Sequence, residues 1–160
     1  EIEGKPQRKI GIKHFCYDPK LAPSGKSVVQ IMYSSDYDHW KRLSADRGAY
    51  EDEKRKIADA LNGALEEFYP GIGKDIEVVD TATPLSFERY TANRRGTFEG
   101  WFMSPSAMTM RMAKTLPGLK NFYMIGQWVQ PGGGLPNSLK SGRDLVYLLC
   151  AKRRREFRTP

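Results

Sequence analysis

The stretch Asn121–Arg143 reads NFYMIGQWVQPGGGLPNSLKSGR, and its three parts set the fold expected of the chain. Asn121 to Ile125 is short, apolar and β-prone, the pattern of a buried strand. Gly126 to Gly134 is a turn built on Pro131 and the run Gly132-Gly133-Gly134. From Leu135 the apolar spacing becomes helical, with Leu135, Leu139, Val146 and Leu149 on one face beside Gly142. Strand, glycine loop and helix N-terminus in succession make a place where a ligand can reach bare backbone. Glycine has no Cβ to block the approach. The first helical turn offers unpaired N–H groups and a partial positive charge.

Upstream, Tyr50 to Tyr69 carries the clearest helical stripe, Ile57, Leu61, Leu65 and Phe68, with Ala64 beside it. Glu51, Asp52 and Glu53 fall in its expected first turn, and Pro70-Gly71 ends it. Gly63 weakens a helix interior by about 1 kcal/mol against alanine, which suggests close packing there. Lys9–Phe15, Ser27–Tyr33 and Asp75–Asp80 read as strands; SVVQIMY is apolar on both faces, as in a covered sheet. Residues 18–26 are a Pro/Gly loop, and residues 34–47 a loop with a short helical turn. Residues 81–106 look irregular, and alternating Met108, Met110 and Met112 suggest an extended run. The fold class expected is α+β: a mixed or antiparallel sheet with packed helices, plus the strand–glycine loop–helix unit.

Two blocks of sequence resemble the C-terminal part of the phytoene desaturase, carotenoid isomerase and retinol saturase family. One is Tyr123-Met124-Ile125-Gly126-Gln127-Trp128, then Pro131-Gly132-Gly133-Gly134-Leu135-Pro136, then Ser141-Gly142-Arg143. The other is Thr83-Pro84-Leu85-Ser86-Phe87-Glu88-Arg89-Tyr90-Thr91, followed by Gly96. The resemblance spans roughly residues 8–150, most strongly 83–143. It implies an FAD-dependent oxidoreductase related in fold to amine oxidases. Residues 1–114 would then be part of a substrate domain and 115–160 the end of the FAD-binding domain, though the two portions could pack as one compact unit. On this resemblance Gly126, Gln127, Pro131, Gly132, Gly133, Gly134, Leu135 and Pro136 face the cofactor, Gly132 to Leu135 meeting the flavin's pyrimidine edge and Gly126 and Gln127 the ribityl and diphosphate. Gln127 and Trp128 stand where many flavoproteins place an acidic residue near the ribityl and diphosphate.

The family's N-terminal G-x-G-x-x-G turn, which binds the ADP half of FAD, has no counterpart after any strand here. With 160 residues beginning at Glu1, the chain reads as a C-terminal fragment, inactive alone and binding FAD weakly or not at all. Its hydrophobic content of 39% and mean hydropathy of −0.60 suit a soluble, cytoplasmic protein, and no stretch is apolar enough to span a bilayer. The net charge of +7 is concentrated partly in Lys152-Arg153-Arg154-Arg155 and Arg158. These suit a solvated helix end or peripheral contact with an anionic membrane. No basic–aromatic pattern points to nucleic acid. Cys16, Cys150, His14 and His39 follow no metal spacing, and the cysteines read as free buried thiols.

No nucleophile, acid or base is evident, and catalytic residues are not assigned. That fits flavin chemistry, in which the cofactor carries the hydride and the protein positions the substrate. Tyr90, Phe98 and Trp101, with Phe102, either line a pocket for a hydrophobic polyene or isoprenoid-like substrate or form an ordinary aromatic cluster. Arg89, Arg94 and Arg95 read as surface or ion-pair residues. The function expected is desaturation, saturation or isomerisation at carbon–carbon bonds. The alternatives are a non-catalytic lipid- or subunit-binding domain and a flavin amine oxidase. If the loop lies open without cofactor, Gly133→Val or Gly134→Val would abolish flavin retention with little effect on folding.

Overall fold

Asp46 starts the longest helix by turning its carboxylate onto the N–H groups of Gly48 and Ala49. The computed structural model describes residues 2–7 and 9–158, and divides into two compact units, Glu1–Gly96 and Thr97–Pro160. The boundary expected at 114 concerns which domain of a larger protein each stretch serves, and it remains an expectation.

In the first unit, strands β1 (Gly11–His14) and β2 (Val29–Met32) pair antiparallel, with Ile12 opposite Ile31 and His14 opposite Val29. Val28, Val29 and Met32 are exposed, so the covered sheet expected at Ser27–Tyr33 is a hairpin open on its faces. Helix α1 (Tyr37–Leu43) is capped by Asp36, where only a short helical turn was expected. Helix α2 (Arg47–Phe68) begins a turn earlier than its periodicity suggests, because Asp46 rather than the Glu51–Glu53 run forms its start. Ile57 and Leu65 of its stripe are buried and Leu61 packs beside them, whereas Phe68 is 71% exposed at the frayed end. Gly63 has open space where a Cβ would stand, so no close approach explains it.

The core of this unit is Trp40, Ile57 and Ile2, with Tyr33, Leu43, Tyr50, Leu61 and Leu85 around them. Trp40 is fully buried, edge-on to Tyr50 at 5.3 Å. Its indole N–H is shared by Glu3 Oε1 at 2.7 Å and Ser35 Oγ at 2.9 Å. Glu3 also accepts from Ser35 Oγ and the Asp36 N–H, so a buried carboxylate is well supplied with donors. Burial, with Glu3 and Glu53 nearby, pushes the Tyr33 hydroxyl up to about 12.

After α2 the expected strand Asp75–Asp80 is absent. Ile72–Asp75 is a 3-10 turn, and the Glu66 carboxylate takes the N–H groups of Gly71 and Gly73 at 2.6 and 2.8 Å. With its start wound into a turn and no ladder partner among the described residues, the segment stays unpaired and Val78 is exposed. Residues 81–106, expected to be irregular, hold helix α3 (Pro84–Thr91), a 3-10 turn at Arg94–Gly96 and the start of helix α4 (Pro105–Thr109). Ser86 Oγ accepts the Thr83 N–H, and Pro84 stands where a missing N–H costs least. Tyr37 Oη donates to Glu88 and Arg95 pairs with Asp38 at 2.6 Å, tying α3 to α1.

In the second unit, Met108 and Thr109 lie in α4 rather than in an extended run. Asn121–Ile125 forms no ladder; its Met124 N–H reaches the Lys114 carbonyl at 2.8 Å. A strand requires a ladder, and this single bond is not extended into one among the described residues. Helix α5 (Gly134–Lys152) follows the glycine loop. Its face around Ser138, Ser141, Gly142 and Leu145 turns inward, while Leu135, Leu139 and Val146 of the apolar face read from the sequence are exposed. Cys16 is exposed and Cys150 half-buried; both are free, so the expected burial does not hold for Cys16.

Candidate cofactor site at the glycine loop

Four glycines of the loop adopt positive φ: Gly126 at 103°, Gly132 at 108°, Gly133 at 59° and Gly134 at 74°. They divide into two kinds. A Cβ on Gly132 would lie 2.5 Å from Asn137 Nδ2 and one on Gly133 2.6 Å from Glu99 Oε2, so the protein itself fills that space. A Cβ on Gly126 would meet nothing within 4 Å, and one on Gly134 only Pro136 Cδ at 3.7 Å and Glu99 Oε2 at 3.9 Å. Gly126 and Gly134 therefore offer open backbone, whereas Gly132 and Gly133 serve close packing. Gly133 and Pro131 are buried, so the loop is not the open turn the sequence suggested.

The loop's ends are fixed from below. Ser141 Oγ, wholly buried in α5, accepts the Gly126 N–H at 3.2 Å and Lys114 Nζ at 3.0 Å. Asn137 Nδ2 donates to the Gly133 carbonyl at 2.8 Å. Gly133 caps α5 without any side-chain acceptor, which leaves first-turn N–H groups uncapped by side chains. Leu135 and Pro136 are exposed at that turn and Gln127 is half-buried. Farther along α5, Lys140 holds the Asp144 carboxyl below its usual range.

A second segment, residues 99–103, lies against the loop. The Gly132 N–H donates to the Trp101 carbonyl at 3.3 Å, and Trp101 Nε1 donates to the Trp128 carbonyl at 3.0 Å. The two indoles meet edge-to-face at 5.5 Å. A Cβ on Gly100 would collide with the Gln127 carbonyl. Of the aromatic residues proposed to contact substrate, Trp101 is half-exposed in this arrangement and Phe98 is exposed nearby in sequence. Tyr90 stands on α3 in the first unit, exposed, with Arg89 over its ring at 5.5 Å.

Sequence reasoning gave no site role to Glu99, Gly100, Lys114 or Asn137, and named Ser141 only within the Ser141-Gly142-Arg143 stretch of the resemblance. Ser141 left a signal: a hydroxyl beside Gly142, off the apolar stripe of an amphipathic helix. Asn137 meets the loop locally, four residues past Gly133, while Glu99, Gly100 and Lys114 meet it through tertiary contacts. Among the described residues no group of three His, Cys, Asp or Glu could hold a metal, and no helix is long and apolar enough to cross a membrane.

The chain is similar to the chloroplastic prolycopene isomerase of Daucus carota, 27% identical over 137 residues, covering 85% of this chain and 21% of that protein. It is 26% identical over 117 residues to the all-trans-retinol 13,14-reductase of Danio rerio, 68% of this chain and 19% of that protein. With the lycopene-forming phytoene desaturase of a Paracoccus strain it shares 23% identity over 136 residues, 84% of this chain and 26% of that protein. The chain thus spans about a fifth of the length of the first curated relatives it matches. Its homologues are carotenoid and retinoid oxidoreductases and isomerases, the group named by the resemblance in its sequence. No family model matches the chain, and no solved structure matches it.

Proposed function

We propose that this chain is the C-terminal part of an FAD-dependent oxidoreductase that acts on carbon–carbon bonds of a hydrophobic polyene or isoprenoid-like substrate. The observation that carries the reading is the open, positive-φ backbone of Gly126 and Gly134 at the two ends of a loop that leads into an uncapped helix N-terminus. Flat aromatic ligands need such Cβ-free approach, and a ring edge that gains negative charge on reduction is favoured by N–H groups of a first helical turn. FAD would supply the hydride transfer when bound. Gly134 and Leu135 would meet its ring edge, while Gly126 and Gln127 would stand nearer the ribityl chain. Gly132, Gly133 and Pro131 would act one step back, by fixing the turn.

In the whole protein, the β1–β2 hairpin would join a larger mixed or antiparallel sheet, and Asn121–Ile125 would separately find a strand partner of its own. A two-stranded hairpin alone is marginal in water, and an unpaired apolar segment gains most from a ladder. Within the second unit, exposed Phe98 and half-exposed Trp101 would face an apolar substrate. Lys152, Arg153, Arg154 and Arg155, all exposed, would make any peripheral contact with an anionic membrane at the cytoplasmic surface.

The test is flavin content. The longer protein should purify with FAD, while the 160-residue chain should lose flavin absorbance on desalting. A longer protein without flavin, or one whose Gly134→Val variant keeps full flavin occupancy and turnover, would overturn the reading in favour of a non-catalytic binding domain.

A further inference from the structure

Three consecutive glycines have the largest conformational freedom of any short segment, and none has a side chain with which to hold itself. Something else must therefore keep Gly132–Gly134 in one shape. We infer that Trp101 is a positioning residue that clamps the glycine loop into its ligand-receiving shape before a ligand arrives. The clamp stands on geometry, and what the loop receives rests on the flavin reading above.

Trp101 brackets the turn from both sides of Pro131. Its indole N–H donates to the Trp128 carbonyl on one side, and its own carbonyl accepts the Gly132 N–H on the other. Its ring meets Trp128 edge-to-face. The residues around it confirm how tightly this segment is laid down: Gly100 has no room for a Cβ against Gln127, the Glu99 side chain fills the space at Gly133, and Met103 Sδ lies 3.2 Å from the Cβ position of Gly132. Burial alone does not account for a tryptophan here, because the side chain is half-exposed. A loop ordered beforehand avoids the loss of affinity that comes from a sparsely populated binding-competent shape.

This role is separable from the substrate-lining role considered from the sequence. Trp101→Phe keeps an aromatic face and removes the indole donor. In the 160-residue chain, hydrogen exchange at the Gly132 amide should speed up about fivefold in this variant, the loss of one net hydrogen bond. The middle turns of α5 should exchange as before. In the longer protein, FAD should bind about fivefold more weakly and the bound flavin's midpoint potential should move negative, as N–H groups lose their aim. A variant with unchanged Gly132 exchange overturns the clamp, as does one with raised KM but unchanged FAD affinity and potential. Absence of FAD from the unaltered longer protein would overturn the flavin reading alone; the exchange measurement would still decide the clamp.

Discussion

The two units are held together by different physics. In Glu1–Gly96 the deepest group is an indole, Trp40, set among Ile57, Ile2 and Tyr50. In Thr97–Pro160 the deepest is a hydroxyl, Ser141, and the buried apolar residues are the small Ala107 and Val129. Helix α2 turns most of its apolar stripe inward, whereas α5 leaves Leu135 80% and Leu139 74% exposed. Periodicity announces that a helix has an apolar face; only packing decides whether that face is covered. The first unit is built on buried apolar area. The second is built on backbone groups caught by Trp101, Asn137 and Ser141, which suits a surface that receives a ligand more than one that fills a core.

The largest test of this contrast is Trp40→Ala. It should cost about 3–5 kcal/mol in denaturant unfolding of the first unit, from a deleted core aromatic and one lost donor to the Glu3 carboxylate. A cost below about 1 kcal/mol would mean that the core lies elsewhere. Next comes Gly133→Ala, expected to lower stability by about 2 kcal/mol or more, since it adds a collision with Glu99 to the strain of positive φ. The Glu99→Ala background should recover part of that loss; no recovery would show that Glu99 does not fill the site. Gly134→Ala carries the backbone strain without the collision and should cost about 1 kcal/mol. Equal losses at Gly133 and Gly134 would erase the distinction between close-packed and open glycines. Leu139→Ala, the counterpart of the core deletion, should change stability of the 160-residue chain by less than about 0.5 kcal/mol; a larger loss would show that this face is covered.

A finer comparison uses acid. The Gly71 and Gly73 N–H groups hold the Glu66 carboxyl below its ordinary value. Its contribution is therefore present above the unfolded carboxylate pKa and is lost as pH falls through the lowered folded value. Thermal unfolding of Glu66→Gln should lie slightly below that of the unaltered chain at about pH 6 and coincide with it at about pH 2. A gap that persists in acid would mean that the carboxylate's charge is not what closes the turn.

The sequence carried α2 because four apolar residues at helical spacing outweigh any local ambiguity. It also carried the hairpin strands, whose β-branched runs are bounded by loops. It did not carry α3, because Pro84 and the polar positions around it mask a helix of eight residues; Thr83 with Ser86 three positions on was the readable sign. Asp75–Asp80 and Asn121–Ile125 look like strands one residue at a time, but a strand exists only across a ladder. At the glycine loop the turn ahead of a helix was legible from its composition. The split between Gly126 and Gly134 on one side, Gly132 and Gly133 on the other, depends on Asn137, one helical turn from Gly133, and on Glu99, whose remote contact no spacing rule reveals.

Ser141 also sets limits on how this part of the chain can change length. It lies seven residues past Gly134, about two helical turns, and its hydroxyl meets Gly126 only in that phase. One residue inserted between them would rotate Ser141 by about 100° and bring Lys140 to the buried position. Extra residues in the exposed turns between Leu116 and Asn121 leave that phase untouched. Among descendants of such a chain, then, gaps and insertions should gather ahead of the loop, while the first two turns of α5 keep their length.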